Sequence, residues 1–374
     1  QARGLSPEDA ARAIKTFVAP GGRDEYLLFA SGGHSGQVHV IGVPSMRLLK
    51  TIAVFTPEPW QGYGYGADWS EQSLAGGHGP NANGNGNGFA DPNGRGPSEP
   101  LRWGDSHHPA LSETDGKYDG RWLYINDRAH GRIGMIDLSD FRAKQVLQVP
   151  NLQTSHGGIF ATPNTEYVHI SSKVPALKAW NASKGQTVTL DDHLNRYADI
   201  YRGYSTFIAI DPQTGRMDLS RSFQIELPPY TQDLADAGKG ASDGFAFINS
   251  YNVEMATGGI QQGKPPIEVG ASELDFDYLH IIDWKKAEQV VAAGKYTEVN
   301  GIRLITLETA VAEGLLHLAP EPRSPHGVDV APRGDYITVS GKLDPHTTVY
   351  SIDLIKKAIA EKNYEGKDRY GVPI

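Results

Sequence analysis

Four of the thirteen histidines stand at one recurring point of the sequence. His107, His156 and His326 each follow a serine or a proline, and His108 follows His107. His107 and His108 form a tandem in SHHPAL, and His156 and His326 follow in TSHGG and SPHGV. Imidazole nitrogen is a good ligand for copper, zinc, iron and nickel. The chain has no cysteine, so a metal would be held by nitrogen and oxygen alone, and among divalent ions that donor set favours copper.

The tandem pair restricts the geometry of such a site. Neighbouring residues on an extended strand point to opposite faces, so His107 and His108 reach one site only if the site is large or the backbone kinks, which Pro109 favours. A multinuclear cluster meets that demand better than a single ion. The alternative is that each histidine supplies only a structural hydrogen bond at the start of a strand.

The same histidines mark the beginning of a repeat. Segments beginning at Ser106, Ser155 and Ser324 each contain a histidine, a short apolar strand, a turn and an aromatic-led strand, and the first and third end in a polar hairpin. A fourth copy, from Asp24, keeps only the second half. Antiparallel units of this kind stack radially as blades, which predicts an all-β fold, a β-propeller of about four or five blades. The first strand of each blade lines the channel, so the four imidazoles are expected to converge on the axis.

Other elements surround the repeats. Ser6 and Pro7 begin a predicted N-terminal helix that Pro20 and two glycines stop, and further helices are predicted at 284–293 and 354–361. Long loop insertions are expected at 56–104, which is rich in Gly and Asn, and at 180–204.

Composition excludes several classes of protein. The formal net charge is -9 with no block of Lys or Arg, which argues against nucleic acid or an anionic membrane as partner. No apolar run approaches the roughly 20 residues of a membrane span. Nor does the sequence start with a basic segment followed by an apolar one, so a signal peptide is absent or already removed.

Asp105 is a candidate for an outer role at the histidine site. It lies two residues before His107 and therefore on the same side of an extended segment. Its carboxylate is predicted to accept the free ring N–H of a ligand histidine, which fixes the tautomer and raises ligand basicity. The alternative is an ordinary turn residue.

Several long strings resemble the nitrous oxide reductase family, and the resemblance covers essentially the whole chain. They are WGDSHHPALSETDGKYDGRWLYINDRAHGRIGMIDL, TSHGGIFATPN, FINSYNVEMA, and SPHGVDVAP with VSGKLDP. The resemblance implies a seven-bladed propeller carrying CuZ, a sulfide-bridged four-copper cluster with seven histidine ligands, followed by a cupredoxin domain carrying CuA. His107, His108, His156 and His326 match the first four ligands. The other three ligands and the CuA domain are expected outside this chain, so residues 1–374 are expected to form a partial N-terminal propeller domain.

The resemblance also implies a calcium site. Tyr251, through its backbone carbonyl, and the carboxylates of Glu254 and Asp277 match calcium-binding positions of the family. Oxygen ligands on a loop suit this hard cation, although the same residues would also serve as a solvated acidic rim. Ser324 stands where family members often have asparagine.

The implied activity is the two-electron, two-proton reduction of nitrous oxide to dinitrogen and water. Electrons are expected from CuA, supplied by a cytochrome c or a cupredoxin, in a periplasmic head-to-tail homodimer. Two other readings stay open. One is a non-catalytic propeller that serves as a binding scaffold. The other is a propeller hydrolase with one calcium or zinc ion, which would want carboxylates and Asn where this chain has histidines.

Overall fold

The computed structural model describes residues 4–56, 104–152, 154–178, 189, 191–192, 196–251, 253 and 277–374. Nearly all of the insertion predicted at 56–104 lies outside this range, as do His78 and His193. Glu254 of the predicted calcium site also lies outside the described residues.

The N-terminal helix is present. Helix α1 (Pro7–Thr16) begins at Ser6, whose hydroxyl oxygen accepts a hydrogen bond from the backbone N–H of Asp9 at 3.0 Å. Proline in the first turn suits a position where its missing N–H is not needed. The helix ends when Phe17 becomes extended, four residues before the Gly-Gly pair. The predicted element is therefore confirmed, slightly shorter than the apolar spacing suggested.

Four of the five sheets in the described part of the chain are antiparallel and have three or four strands. The first sheet contains β1 (Tyr26–Ser31), β2 (Gln37–Val43) and β3 (Leu48–Ala53). The second contains β4 (Ser106–Thr114), β5 (Lys117–Asp127), β6 (Arg132–Asp137) and β7 (Arg142–Gln148). In both sheets each strand pairs with the next along the chain, as expected for units joined by tight turns.

The third sheet is larger and mixed. Its strands are β8 (Ile159–Ala161), β9 (Tyr167–Ser171), β10 (Ala176–Leu177), β11 (Tyr201–Ile210), β12 (Met217–Leu227), β16 (Thr297–Val299) and β17 (Ile302–Ile305). β17 pairs with β12 in parallel, at Phe223↔Arg303 and the two residues that follow. This long-range pairing adds a distant hairpin to the outer edge of the blade, and the repeat pattern did not predict it.

Two more sheets complete the series. The fourth contains β13 (Thr231–Ala237), β14 (Phe245–Tyr251), β15 (Asp277–Asp283) and β18 (Leu316–Glu321). The fifth contains β19 (Pro325–Val330), β20 (Tyr336–Gly341) and β21 (Thr347–Ser351).

The sheets succeed one another as blades. The first strands β4, β8, β13 and β19 lie side by side in chain order, and β1 lies beside β4. Parallel alignment of equivalent strands around a common line is the arrangement of a propeller. The described residues thus form five blades of an all-β, propeller-like fold, which confirms the predicted fold class.

Short helices lie outside the blades. They are α2 (Tyr197–Ile200), α3 (Trp284–Ala292), α4 (Leu307–Ala312) and α5 (Ile352–Glu361), with one 3₁₀ turn at Gly240–Ser242. The carboxylate of Asp283 caps α3 by accepting the N–H of Lys286 at 2.9 Å. Within the described residues, no helix is both long and apolar enough to cross a membrane.

Apolar clusters fill the spaces between neighbouring blades. Between the first and second sheets, Val38, Val40 and Ile52 pack with Leu123 and Ile125, all at most 1% exposed. Each such side chain contributes about 1.5–3 kcal/mol on burial. Because every blade shares its faces with its neighbours, the strands that carry the histidines are held rigidly relative to one another.

Candidate metal centre

His107 and His108 lie in a bulge at the start of β4. Ser106 pairs with Asp127 and Pro109 pairs with Ile125, so the register shifts across the two histidines. A bulge bends a strand and changes where its side chains point. A backbone kink, one of the two conditions under which both histidines reach one site, is therefore present.

His326 lies in a similar bulge. The register of β19 with β20 shifts between Pro325 and Val328, which spans His326. His156 stands three residues before the first residue of β8. All three positions are at or just before the N-terminal end of the first strand of a blade.

The four imidazoles form one cluster. The ring centroid of His107 lies 4.6 Å from that of His108 and 4.5 Å from that of His156. The rings of His108 and His156 are 5.3 Å apart, and those of His156 and His326 are 5.8 Å apart. Ring nitrogens of His107, His108 and His156 lie within 4.8 Å of one another, close enough for shared metal ions. The geometric expectation from the repeats is met.

Asp233 joins this cluster, and the sequence pattern did not predict it. Its side chain is 3% exposed, and one carboxylate oxygen accepts a hydrogen bond from Nδ1 of His156. The other oxygen lies 4.0 Å from Nε2 of His326. A ring nitrogen or carboxylate oxygen from each of His156, Asp233 and His326 lies within 4.8 Å of the others. Asp233 occupies a register shift of β13, at the place where the other repeats carry histidine.

A carboxylate can only accept, so Nδ1 of His156 is the donor, and in a neutral ring Nε2 then carries the lone pair. This is the tautomer that a metal ligand needs. The signal that could have identified Asp233 is a polar residue at the same point of the fourth repeat, where the other repeats have histidine.

The electrostatics keep two of the rings neutral. Burial is the main cause that lowers the pKa of His107 to about 4, helped by the neighbouring His156 and by Arg128 and Lys173. Burial also lowers the pKa of His108 to about 4, with His107 and His156 adding to the effect. Neutral imidazole is the form that binds metal.

The carboxylate of Asp233 is ionised at neutral pH. Burial alone would raise its pKa, but the hydrogen bond from His156 and the nearby imidazoles and Lys173 outweigh it, so the pKa is lowered. The centre thus combines the neutral imidazoles of His107 and His108 with the negative charge of Asp233, and nitrogen and oxygen donors of this kind fit copper without any thiolate.

Asp105 lies close to the cluster but at a longer distance than predicted. Its Oδ1 is 4.0 Å from Nδ1 of His107, beyond hydrogen-bond distance. Its Oδ2 is 3.6 Å from Nδ1 of the exposed His34. Asp105 is 6% exposed, and its proposed bond to a ligand ring stays a prediction.

A buried ion pair fixes the chain where it enters β4. Asp127 accepts hydrogen bonds from Nε of Arg132 at 2.7 Å and from the backbone N–H groups of Asp105 at 2.8 Å and Ala129 at 3.0 Å. Arg132 is 2% exposed and Asp127 is fully buried. The pair therefore anchors the segment that leads into the tandem histidines.

The remaining described histidines lie elsewhere. His169 and His280 are fully buried and His317 is 6% exposed. His169 bonds the carbonyl of Gly158 and the hydroxyl of Ser205. None of these three belongs to either group of potential ligands found in the described residues.

The region of the predicted calcium site is organised around Asp277. Its Oδ2 accepts the N–H of Ser324 at 2.7 Å and its Oδ1 accepts the N–H of Val253 at 3.1 Å. Tyr251, at the end of β14, is 7% exposed. Two of the three predicted ligands are therefore described, and their binding of calcium stays a prediction.

Glu321 is a further carboxylate in this region, again one that the sequence pattern did not predict. It pairs with Asp277 across β15 and β18 and is 2% exposed. Burial and the charge of Asp277 raise its pKa well above the usual value, and the Ser250 N–H offsets this only in part. Among the described residues, neither carboxylate oxygen of Glu321 accepts a hydrogen bond of normal geometry. A buried carboxylate left this way needs a proton or a cation.

Sequence comparison gives a consistent family. The chain is 30% identical over 348 residues to "Nitrous-oxide reductase" of Pseudomonas fluorescens, covering 91% of this chain and 46% of that protein. It is 29% identical over 378 residues to "Nitrous-oxide reductase" of Stutzerimonas stutzeri, covering 97% and 51%. The chain thus spans about half the length of the curated relatives it matches.

Other comparisons add little. No protein-family model matches the chain. Among solved structures, "Kuenenia stuttgartiensis Hydrazine Synthase" has a TM-score of 0.46 and 12% identity, over 92% of this chain and 65% of that one, a similarity too low to bear on function. The resemblance carried by the histidine-containing strings is confirmed: over nearly its whole length the chain is similar to nitrous-oxide reductases.

Proposed function

We propose that this chain is the cluster-bearing propeller portion of a copper-dependent enzyme that reduces nitrous oxide to dinitrogen and water. The observation that carries the proposal is the convergence of four imidazoles from three repeats in one cluster. Relatedness to nitrous-oxide reductases supports the same conclusion.

The four histidines and Asp233 would have different roles in this centre. His107, His108, His156 and His326 would hold copper through ring nitrogens, in the first part of a sulfide-bridged cluster. Copper would supply electrons to a weakly polar substrate and a place for it to bind, which side chains cannot do unaided. The Asp233 carboxylate orients His156, and burial keeps His107 and His108 neutral and ready to bind.

The domain boundary and the assembly are part of the same proposal. Residues 1–374 would be a partial N-terminal propeller domain, and further histidines and a CuA-bearing cupredoxin domain would complete the enzyme. A periplasmic head-to-tail homodimer would bring CuA of one subunit to the cluster of the other. Electrons would arrive from a cytochrome c or a cupredoxin.

A calcium ion is proposed beside the fourth blade, held by the Tyr251 carbonyl, Glu254 and Asp277. The buried carboxylate of Glu321 supports a cation here, because its oxygens accept no hydrogen bond of normal geometry among the described residues. Calcium takes six to eight oxygen ligands and tolerates irregular geometry. The ion would tie β14, β15 and β18 together next to His326.

The test is metal analysis with a visible spectrum on protein produced with copper and purified without oxygen. We expect copper in excess of one ion per chain when the complete enzyme is assembled, intense visible absorption, and consumption of nitrous oxide with a reduced dye as electron donor. The matched control replaces the exposed His346 with alanine, which should change none of these.

Other outcomes would select the rival functions. A colourless protein without copper that still folds would indicate a binding scaffold. One zinc or calcium ion in the channel, together with ester or lactone hydrolysis, would indicate a hydrolase. In the copper-containing case, His156→Ala should abolish the absorption.

A further inference from the structure

Asn126 connects the ligand residues of two successive blades. It lies on β5 opposite the bulge that holds the tandem histidines, and it is fully buried. Its Oδ1 accepts the backbone N–H of His108 at 2.8 Å. Its Nδ2 donates to the hydroxyl of Ser155 at 3.1 Å and to the carbonyl of His156. One side chain thus bonds the backbones of two proposed ligands.

Asn249 repeats part of this arrangement two blades later, since among the described residues its Oδ1 accepts no hydrogen bond. It lies on β14 opposite the register shift that contains Asp233, and it is fully buried. Its Nδ2 donates to the carbonyl of His326, the ligand on the next blade, at 2.6 Å. The local sequences correspond, since both asparagines follow an isoleucine in the second strand of a repeat.

The other two repeats have serine at this point. Ser171 follows Ile170, and the next blade contributes Asp233 in place of histidine. Ser340 follows Val339, and its hydroxyl accepts the N–H of Gly327 at 2.9 Å, a bond within its own repeat. A serine hydroxyl can accept a hydrogen bond from a backbone N–H of the bulged strand in its own blade. The serine side chain is too short to bond the next blade as asparagine does. From the second to the fourth blade, asparagine therefore occurs where the next blade carries a clustered histidine.

We propose that Asn126 and Asn249 are positioning residues that set the spacing of the histidines across blade boundaries. A bulge leaves a backbone N–H without its ladder partner and frees the ligand to turn toward the channel. Oδ1 of Asn126 replaces that partner at His108. The Nδ2 groups of Asn126 and Asn249 donate to the carbonyls of His156 and His326 on the next blades and hold those carbonyls in place. The spacing role is independent of any metal, whereas its consequence for metal binding rests on the proposed function.

The experiment replaces each asparagine with the serine of the other repeats. Asn126→Ser keeps an acceptor for His108 and loses the bond to His156, and Asn249→Ser loses the bond to His326. The control is Asn151→Ser, because Asn151 is also fully buried and hydrogen-bonded, but to Gln224 and Asn300. The readouts are metal-free crystal structures and titration of the metal-free protein with Co²⁺, followed by visible spectroscopy.

We expect Asn126→Ser to increase the separation of the His108 and His156 rings beyond 5.3 Å, and Asn249→Ser to increase that of His156 and His326 beyond 5.8 Å. Each change should weaken Co²⁺ binding about tenfold or more and shift its visible bands, as changes to the partners of metal ligands do. Asn151→Ser should leave bands and affinity unchanged.

Unchanged ring separations in both variants would overturn the proposal. If the wild type does not bind Co²⁺, the metal function fails while the ring separations still decide the spacing role. If Asn126→Ser does not fold, Asn249→Ser tests the same role at the other boundary.

Discussion

Asp233 allows the sharpest perturbation of the proposed metal centre. It bonds His156, a proposed ligand, and it stands where the other described repeats carry histidine. Asp233→Asn keeps an acceptor oxygen for Nδ1 of His156 and removes the charge, whereas Asp233→Ala removes both. Loss of such a partner costs about 10- to 100-fold in metal affinity, which is about 1.4–2.7 kcal/mol. Since the side chain is 3% exposed, water cannot easily replace it.

We therefore expect copper affinity to fall about tenfold in Asp233→Asn and about a hundredfold in Asp233→Ala. The assay is anaerobic competition for Cu⁺ against a coloured chelator. The matched control is Asp344→Asn, because Asp344 also bonds Nδ1 of a histidine, His346, whose side chain is 78% exposed. Affinity within about twofold of the wild type in Asp233→Ala would refute the reasoning, since a carboxylate that orients a ligand histidine contributes at least about tenfold.

Three predictions concern stability. Burial raises the pKa of Asp236 to about 6, so the charged form is disfavoured in the fold and unfolding free energy should fall as pH rises from about 4 to about 6. The loss of unfolding free energy is about 2 kcal/mol, a value already reduced for partial exposure. In urea unfolding, Asp236→Asn should show a weaker dependence of the unfolding free energy on pH. Arg132→Met leaves the buried charge of Asp127 unpaired and should cost about 3–5 kcal/mol by the same assay, against less than about 1 kcal/mol for the exposed Arg333→Met. A chelator should lower the melting temperature of the wild type but not that of Glu321→Gln, because the proposed calcium ion would lose the carboxylate of Glu321.

Each of these has a clear contrary result. An unchanged pH dependence in Asp236→Asn would assign the slope to other groups. Equal costs for Arg132→Met and Arg333→Met would show that the buried pair is no more important than a surface one. An equal chelator effect in wild type and Glu321→Gln would remove Glu321 from the calcium proposal.

Local signals predicted much of the fold. A capping residue and a proline predicted helix α1. Alternating apolar residues bounded by turns predicted the hairpin of β5 and β6. Such elements depend on neighbours in the sequence, so the sequence alone is enough to predict them. The repeat then placed His107, His156 and His326 at equivalent points, which was enough to predict their convergence.

The features that were not predicted depend on contacts between distant residues. The parallel pairing of β17 with β12 joins segments about 80 residues apart and follows no repeat. Asp233 breaks the histidine pattern, and Glu321 resembles an ordinary strand end until β15 is placed beside it. Asn126 and Asn249 find their hydrogen-bond partners in their own blade or in the next one. These partners are evident only once the positions of the bulges are known.

The central claim is that imidazoles from separate blades hold copper together. Crystals of the copper-loaded protein, measured with X-rays above and below the copper absorption edge, test it directly. The account predicts anomalous peaks within bonding distance of ring nitrogens of His107, His108, His156 and His326. Copper peaks only at surface sites, with these four rings in place and bare, would contradict it.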